Sequence, residues 1–96
     1  MPTLEDVLDY LGYDYADDNI KRNINRAIST AEAYLKGSLG KNYPVNDPRV
    51  KELALIVVAD LYENRTINDK VSGKVRKLVN DLELQIKLEM RSGTSE

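Results

Sequence analysis

The sequence predicts an all-α fold: a small single-domain bundle of about four helices around a buried central helix. Three observations carry this. Ile20, Ile24, Ala27, Ile28, Ala31, Tyr34 and Leu35 follow steps of four, three, one, three, three and one, which draws one face of a 3.6-residue helix. Seven consecutive apolar residues, Leu53 to Ala59, follow an Asp47-Pro48 pair, a helix start behind which every face is apolar. Five glycines and three prolines in 96 residues favour long regular elements over loops.

The first helix opens at Thr3, which forms a capping-box-like pair with Asp6. Leu4, Val7, Leu8 and Leu11 are its apolar stripe, and Gly12 closes it. Tyr13 to Asp17 is a connector, around which Tyr10, Tyr13 and Tyr15 cluster. Asp17 or Asp18 caps the second helix, whose outer face carries Lys21, Arg22, Asn25, Arg26, Ser29 and Glu32. Gly37 is its predicted end, leaving 37–47 as the main loop. Gly37-Ser38-Leu39-Gly40-Lys41 has a faint likeness to a phosphate loop. It lacks the four-residue spacer and the Ser or Thr after Lys41, and it follows a helix, so it reads as a helix ending.

The third helix runs from Asp47-Pro48 through Arg65. Ile56, Val57 and Val58 also suit a strand, but the proline start favours a helix, and Leu61 and Tyr62 continue the period. A polar linker, Thr66 to Lys70, leads to Ser72, which can cap a fourth helix from about Gly73 to Arg91. Val75, Leu78, Val79, Leu82 and Ile86 form its main stripe. Leu84 lies nine residues after Val75, about 180° away at helical pitch. With Leu88, and Met90 beyond it, this makes a second apolar face. It serves either a protein–protein contact or a longer core contact with the N-terminal helix. The domain is read as 1–90 and the remainder, 91–96, as a disordered tail.

The chain has no cysteine, histidine, tryptophan or phenylalanine. That excludes Ser-His triads, thiolate nucleophiles, ordinary zinc sites and a disulfide framework. Asp14, Asp17 and Asp18 are the densest acidic cluster, without the spacing of a calcium loop. No set of nucleophile, base and oxyanion stabiliser can be assembled, so no catalytic, cofactor or metal residues are assigned and the chain is read as non-enzymatic. No apolar run approaches the roughly 18–20 residues of a membrane span, and the acidic N-terminus is unlike a signal peptide. A soluble intracellular protein is the expectation, which leaves the Asn64-Arg65-Thr66 sequon without meaning. A chain this short buries only about 60–65% of its unfolded surface, so contacts with other subunits can matter.

The net charge of −2 is unevenly placed: residues 1–19 carry −6 and the remainder +4. The acids suit helix starts, and they also allow end-to-end pairing of copies. Lys21, Arg22 and Arg26, with Lys70, Lys74, Arg76 and Lys77, would suit a small helical DNA-binding or regulatory protein. An acidic pI near 5.2 favours a solvated face instead.

The third helix contains Pro48-Arg49-Val50-Lys51-Glu52-Leu53-Ala54-Leu55-Ile56-Val57-Val58-Ala59-Asp60-Leu61-Tyr62-Glu63-Asn64-Arg65. It resembles the head–tail connector proteins of tailed bacteriophages, the small helical adaptor, head-completion or DNA-packaging proteins. Their pattern is a proline-started helix, an aliphatic stretch, then Tyr-Glu-Asn-Arg. The likeness covers about residues 3–82. It implies a structural subunit that oligomerises into a ring, joins the portal protein to the next tail-completion protein, and lines a channel through which DNA passes unread. It also implies a place in the virion neck, after assembly in the host cytoplasm. Tyr62, Glu63, Asn64 and Arg65 match the motif. Tyr62 continues the apolar stripe and is expected in the core, while Glu63 and Arg65 should cap the helix or pair with a neighbour. After Gly73 the chain departs from the pattern, with a long charged helix in place of a short apolar ending. The interface candidates are therefore Glu63, Arg65, Leu84, Leu88, Asp14, Asp17 and Asp18.

Overall fold

The computed structural model describes residues 1–41, 43–66 and 70–94, the segment 90–94 by its backbone. Among the described residues there are four helices and no strand: α1 (Leu4–Leu11), α2 (Asp18–Leu39), α3 (Pro48–Asn64) and α4 (Gly73–Thr94). The all-α bundle stands, and the aliphatic run of α3 is helical.

Each start is made by its predicted side chain. Thr3 Oγ1 accepts the N–H of Asp6 at 3.1 Å, and the Asp6 carboxylate accepts the N–H of Thr3 at 2.9 Å. Asp17, not Asp18, caps α2, accepting the N–H of Ile20 at 2.8 Å. Asp47 accepts the N–H of Arg49 at 2.8 Å, with Pro48 in the first turn. Ser72 Oγ accepts the N–H of Val75 at 3.4 Å. These groups occupy amide donors that a helix start leaves without partners. Gly12, at φ +81°, ends α1 in the left-handed region.

The end of α2 differs from expectation. The helix continues through Gly37 to Leu39, and Gly40, at φ +99°, is its cap. Leu35 is fully buried and Leu39 packs partly against the core, so this last turn has apolar contacts that outweigh glycine's handicap of about 1 kcal/mol against alanine. The connector is therefore 40–47. Nothing lies within 4 Å of a Cβ built at Gly37. Gly37→Ala should thus stabilise the chain by about 0.5–1 kcal/mol. Urea unfolding should show a higher midpoint with an unchanged slope.

α3 is the central element and packs on all three other helices. Its Val50, Leu53, Ala54, Val57, Val58, Ala59, Leu61 and Tyr62 are buried, but Leu55 and Ile56 only partly, so its cover is not complete on every side. α2 contributes Ile24, Ala27, Ala31 and Leu35, α1 contributes Val7, and α4 contributes Val75, Val79, Leu82 and Ile86. Leu78 is a correction. It is 42% exposed, because it sits on the shoulder of the arc drawn by the buried four, about 60° from Val75.

α1 touches α2 and α3, α4 touches α2 and α3, and α1 and α4 do not touch. They flank the central pair on opposite sides. Arg49 at the start of α3 bonds Glu89 late in α4, so these helices are antiparallel. Tyr13, just after α1, meets Tyr62 at the end of α3, so α1 runs parallel to α3. The body measures 51 × 24 × 19 Å with a radius of gyration of 14.4 Å. That exceeds the roughly 12–13 Å of a compact domain this size, and two 22-residue helices of about 33 Å explain the elongation. Among the described residues no helix is long and apolar enough to cross a membrane. α4 passes the Arg91 boundary to end at Thr94, and residues 95 and 96 of the expected tail lie outside the described residues.

Candidate functional site

The Tyr62–Arg65 motif sits where the ends of three helices meet. Tyr62 is 5% exposed, as its place on the apolar stripe predicts. Its hydroxyl lies 3.2 Å from that of Tyr13, and the two rings meet edge to face with centroids 6.3 Å apart. Burial first, then this hydrogen bond, pushes the Tyr62 phenol above its ordinary range. Arg65 folds back over Tyr62. Its guanidinium carbon is 4.0 Å from the ring centroid, and Nη1 donates to the Tyr62 carbonyl at 2.6 Å. Arg65 is thus a helix cap, one of the two roles expected of it.

Asn64 Nδ2 donates to the carbonyl of Lys70 at 3.2 Å, across the α3–α4 connector. Asp60 adds a second tie that sequence reasoning missed: its Oδ2 accepts the N–H of Ser72 at 2.7 Å. Glu63 differs from its motif neighbours. It is exposed and makes no hydrogen bond or ion pair among the described residues, so neither expected role is observed for it. Tyr62 and Asn64 therefore fasten the end of α3 to neighbouring segments of the same chain, while Arg65 closes the helix end itself.

Asp14, Asp17 and Asp18 lie exposed on the α1–α2 connector and the start of α2. They share this end of the bundle with Tyr62 and Arg65, because Tyr13 brings the connector against Tyr62. Asp17 is engaged as a cap, whereas Asp14 and Asp18 face solvent. Lys21, Arg22 and Arg26 are exposed along α2, and Lys74, Arg76 and Lys77 along early α4.

The other end is held by an ion cluster with no sequence signal. Arg49 donates Nη1 and Nη2 to the two Glu89 carboxylate oxygens at 2.6 and 2.8 Å, and Nε and Nη2 to Asp47 at 3.1 and 2.8 Å. This bidentate geometry uses the guanidinium fork fully. The Arg49 side chain, then its N–H, hold the Asp47 carboxyl down to about 2 against an ordinary 3.8. The folded value lies below the unfolded one, so its stabilisation is present above about pH 4 and is lost as pH falls toward 2. Asp47→Asn should lower the thermal midpoint at pH 7 and make its fall between pH 4 and 2 shallower, as followed by circular dichroism.

Leu84 and Leu88 belong to neither end cluster. They are 59% and 51% exposed, on the side of α4 opposite Val75, Val79, Leu82 and Ile86. Packing of this face on the N-terminal helix is overturned, since α1 and α4 lie on opposite flanks. Among the described residues no group of three or more acidic side chains is placed to share a metal ion. No protein-family model, curated protein or solved structure matches this chain.

Proposed function

We propose that this chain is a structural subunit of a tailed-phage head–tail connector, which oligomerises into a ring between the portal protein and the next tail-completion protein. The observation that carries the reading is the outward apolar face of α4. Leu84 and Leu88 stay open to water on a helix whose other side is already packed, in a chain with few residues to spare for a core. A subunit finished by its neighbours needs such a face. The Tyr62–Arg65 likeness supplies the family. In this reading the subunit catalyses nothing and needs no cofactor. It works in the virion neck after assembling in the host cytoplasm, and DNA passes through the ring unread.

Light scattering over a concentration series tests the reading. The expected result is a mass that climbs past the dimer. If the −6 start pairs with the +4 remainder of a neighbour, added salt should weaken association, since exposed charges are screened over about 8–10 Å at 0.1–0.15 M. The exposed Lys21, Arg22 and Arg26 favour a second reading, a small helical DNA-binding or regulatory protein. A monomer or dimer that retards duplex DNA at physiological salt would establish that one instead.

A further inference from the structure

A cavity of about 440 Å³ opens on the α1 flank, where the N-terminus and the α2–α3 connector meet the first turns of α3. Tyr43 forms its wall, 8% exposed, with its hydroxyl donating to Met1 Sδ at 3.9 Å. Met1 and Val45, 38% and 47% exposed, and the partly buried Leu55 give it an apolar portion, and Asp6 and Lys51 also line it. Among the described residues nothing fills it.

The geometry points to a second copy of this chain as the occupant: the Leu84–Leu88 face of α4 seats on the Met1–Val45–Leu55 cavity of the next subunit. This rests on the ring reading and says which surfaces close the ring. Three observations meet in it. First, face and cavity lie on opposite flanks, because α4 and α1 border the central pair from different sides and do not touch. A copy cannot fill its own cavity, and the contact between unlike patches is heterologous, the kind that builds rings.

Second, both patches lie toward the same end of the bundle. The cavity is lined by Val50, Lys51 and Leu55 near the start of α3, and that start is tied through Arg49 to Glu89, one residue past Leu88. Successive copies can then be related by rotation with little rise, the arrangement in which a heterologous contact is able to close into a ring.

Third, charges on the two surfaces are complementary in sign. Lys77, Asp81, Leu84 and Leu88 follow steps of four, three and four and form one exposed stripe. α1 carries Glu5, Asp6 and Asp9 and no basic residue, so Lys77 of the stripe is opposite in sign to it, and Asp81 is opposite in sign to Lys51 of the cavity. Fully exposed charges of this kind set register and partner choice more than affinity.

The chain has no cysteine, so single thiols can be placed cleanly. Val45→Cys and Leu88→Cys, both at exposed positions, should be mixed with a short bismaleimide. With the two variants in equal amounts, the expected product is the mixed Val45→Cys/Leu88→Cys dimer at far more than the roughly twofold excess over either homodimer that random pairing gives, and a doubly substituted chain should give a ladder of higher oligomers. Crosslinking of Leu88→Cys to itself would overturn the seating in favour of α4–α4 pairing. An oligomer by light scattering with no mixed crosslink would overturn the seating and leave the ring reading standing. Neither oligomer nor crosslink would overturn both.

Discussion

Tyr62→Ala is expected to destabilise the chain by about 3–5 kcal/mol, the range for removing a buried aromatic ring. The ring is 5% exposed and holds up two other groups, the Tyr13 hydroxyl and the Arg65 guanidinium. A domain of this size has only about 5–15 kcal/mol in all, so the variant should sit near the edge of folding. Graded controls separate the contributions. Tyr62→Phe keeps the ring and removes the hydroxyl bond, which should cost about 1 kcal/mol. Arg65→Ala removes a cation over an aromatic face and should cost about 0.5–1 kcal/mol. Glu63→Ala, which breaks no bond among the described residues, should fall within about ±0.5 kcal/mol. Urea unfolding of the four variants measures all of this. Because the folded Tyr62 phenol is raised above its ordinary 10.0, its stabilisation is present below that pH and lost as pH rises through the folded value. Tyr62→Phe should remove that alkaline loss.

The paired substitution Leu84→Ser and Leu88→Ser should do the reverse. Both side chains are more than half exposed, so stability should change by no more than about 0.5 kcal/mol per site, while association should be lost. Leu82→Ala, two residues earlier but 7% exposed, should cost about 2–5 kcal/mol. Melting curves with light scattering on the same samples make the comparison. If the paired serine variant still assembles like the parent, α4 does not supply the interface.

The helix starts were open to sequence reasoning because each is a local event. Thr3 with Asp6, Asp17, and Asp47 with Pro48 act within three residues, and short spacing carries such information well. That Leu84 and Leu88 lie opposite the main stripe of α4 followed from helical pitch, but that they stay open to water did not. Gly37 misled because propensity is a small term. Two leucines on the last turn of α2, one buried and one half-buried, outweigh it, and whether they find a surface depends on the tertiary fold. Leu78 misled because periodicity marks an arc but not where its packed part ends.

Contacts between distant segments left no local trace. Arg49 and Glu89 are 40 residues apart, as Tyr13 and Tyr62 are 49 apart, and only the relative directions of the helices bring them together. The cavity bordered by Met1, Val45 and Leu55 was hidden for the same reason. Three segments build it, and none is unusual alone. The motif Tyr62 to Arg65 could be read as a likeness, but its division of labour needed coordinates. Tyr62, Asn64 and Arg65 serve the fold, and Glu63 is left facing solvent.

Negative-stain imaging of the purified chain at high concentration and low salt tests the central claim most directly. The account predicts closed rings of uniform diameter in which each copy meets its neighbour through unlike faces. Particles no larger than a two-fold dimer, at concentrations where light scattering shows association complete, would contradict it.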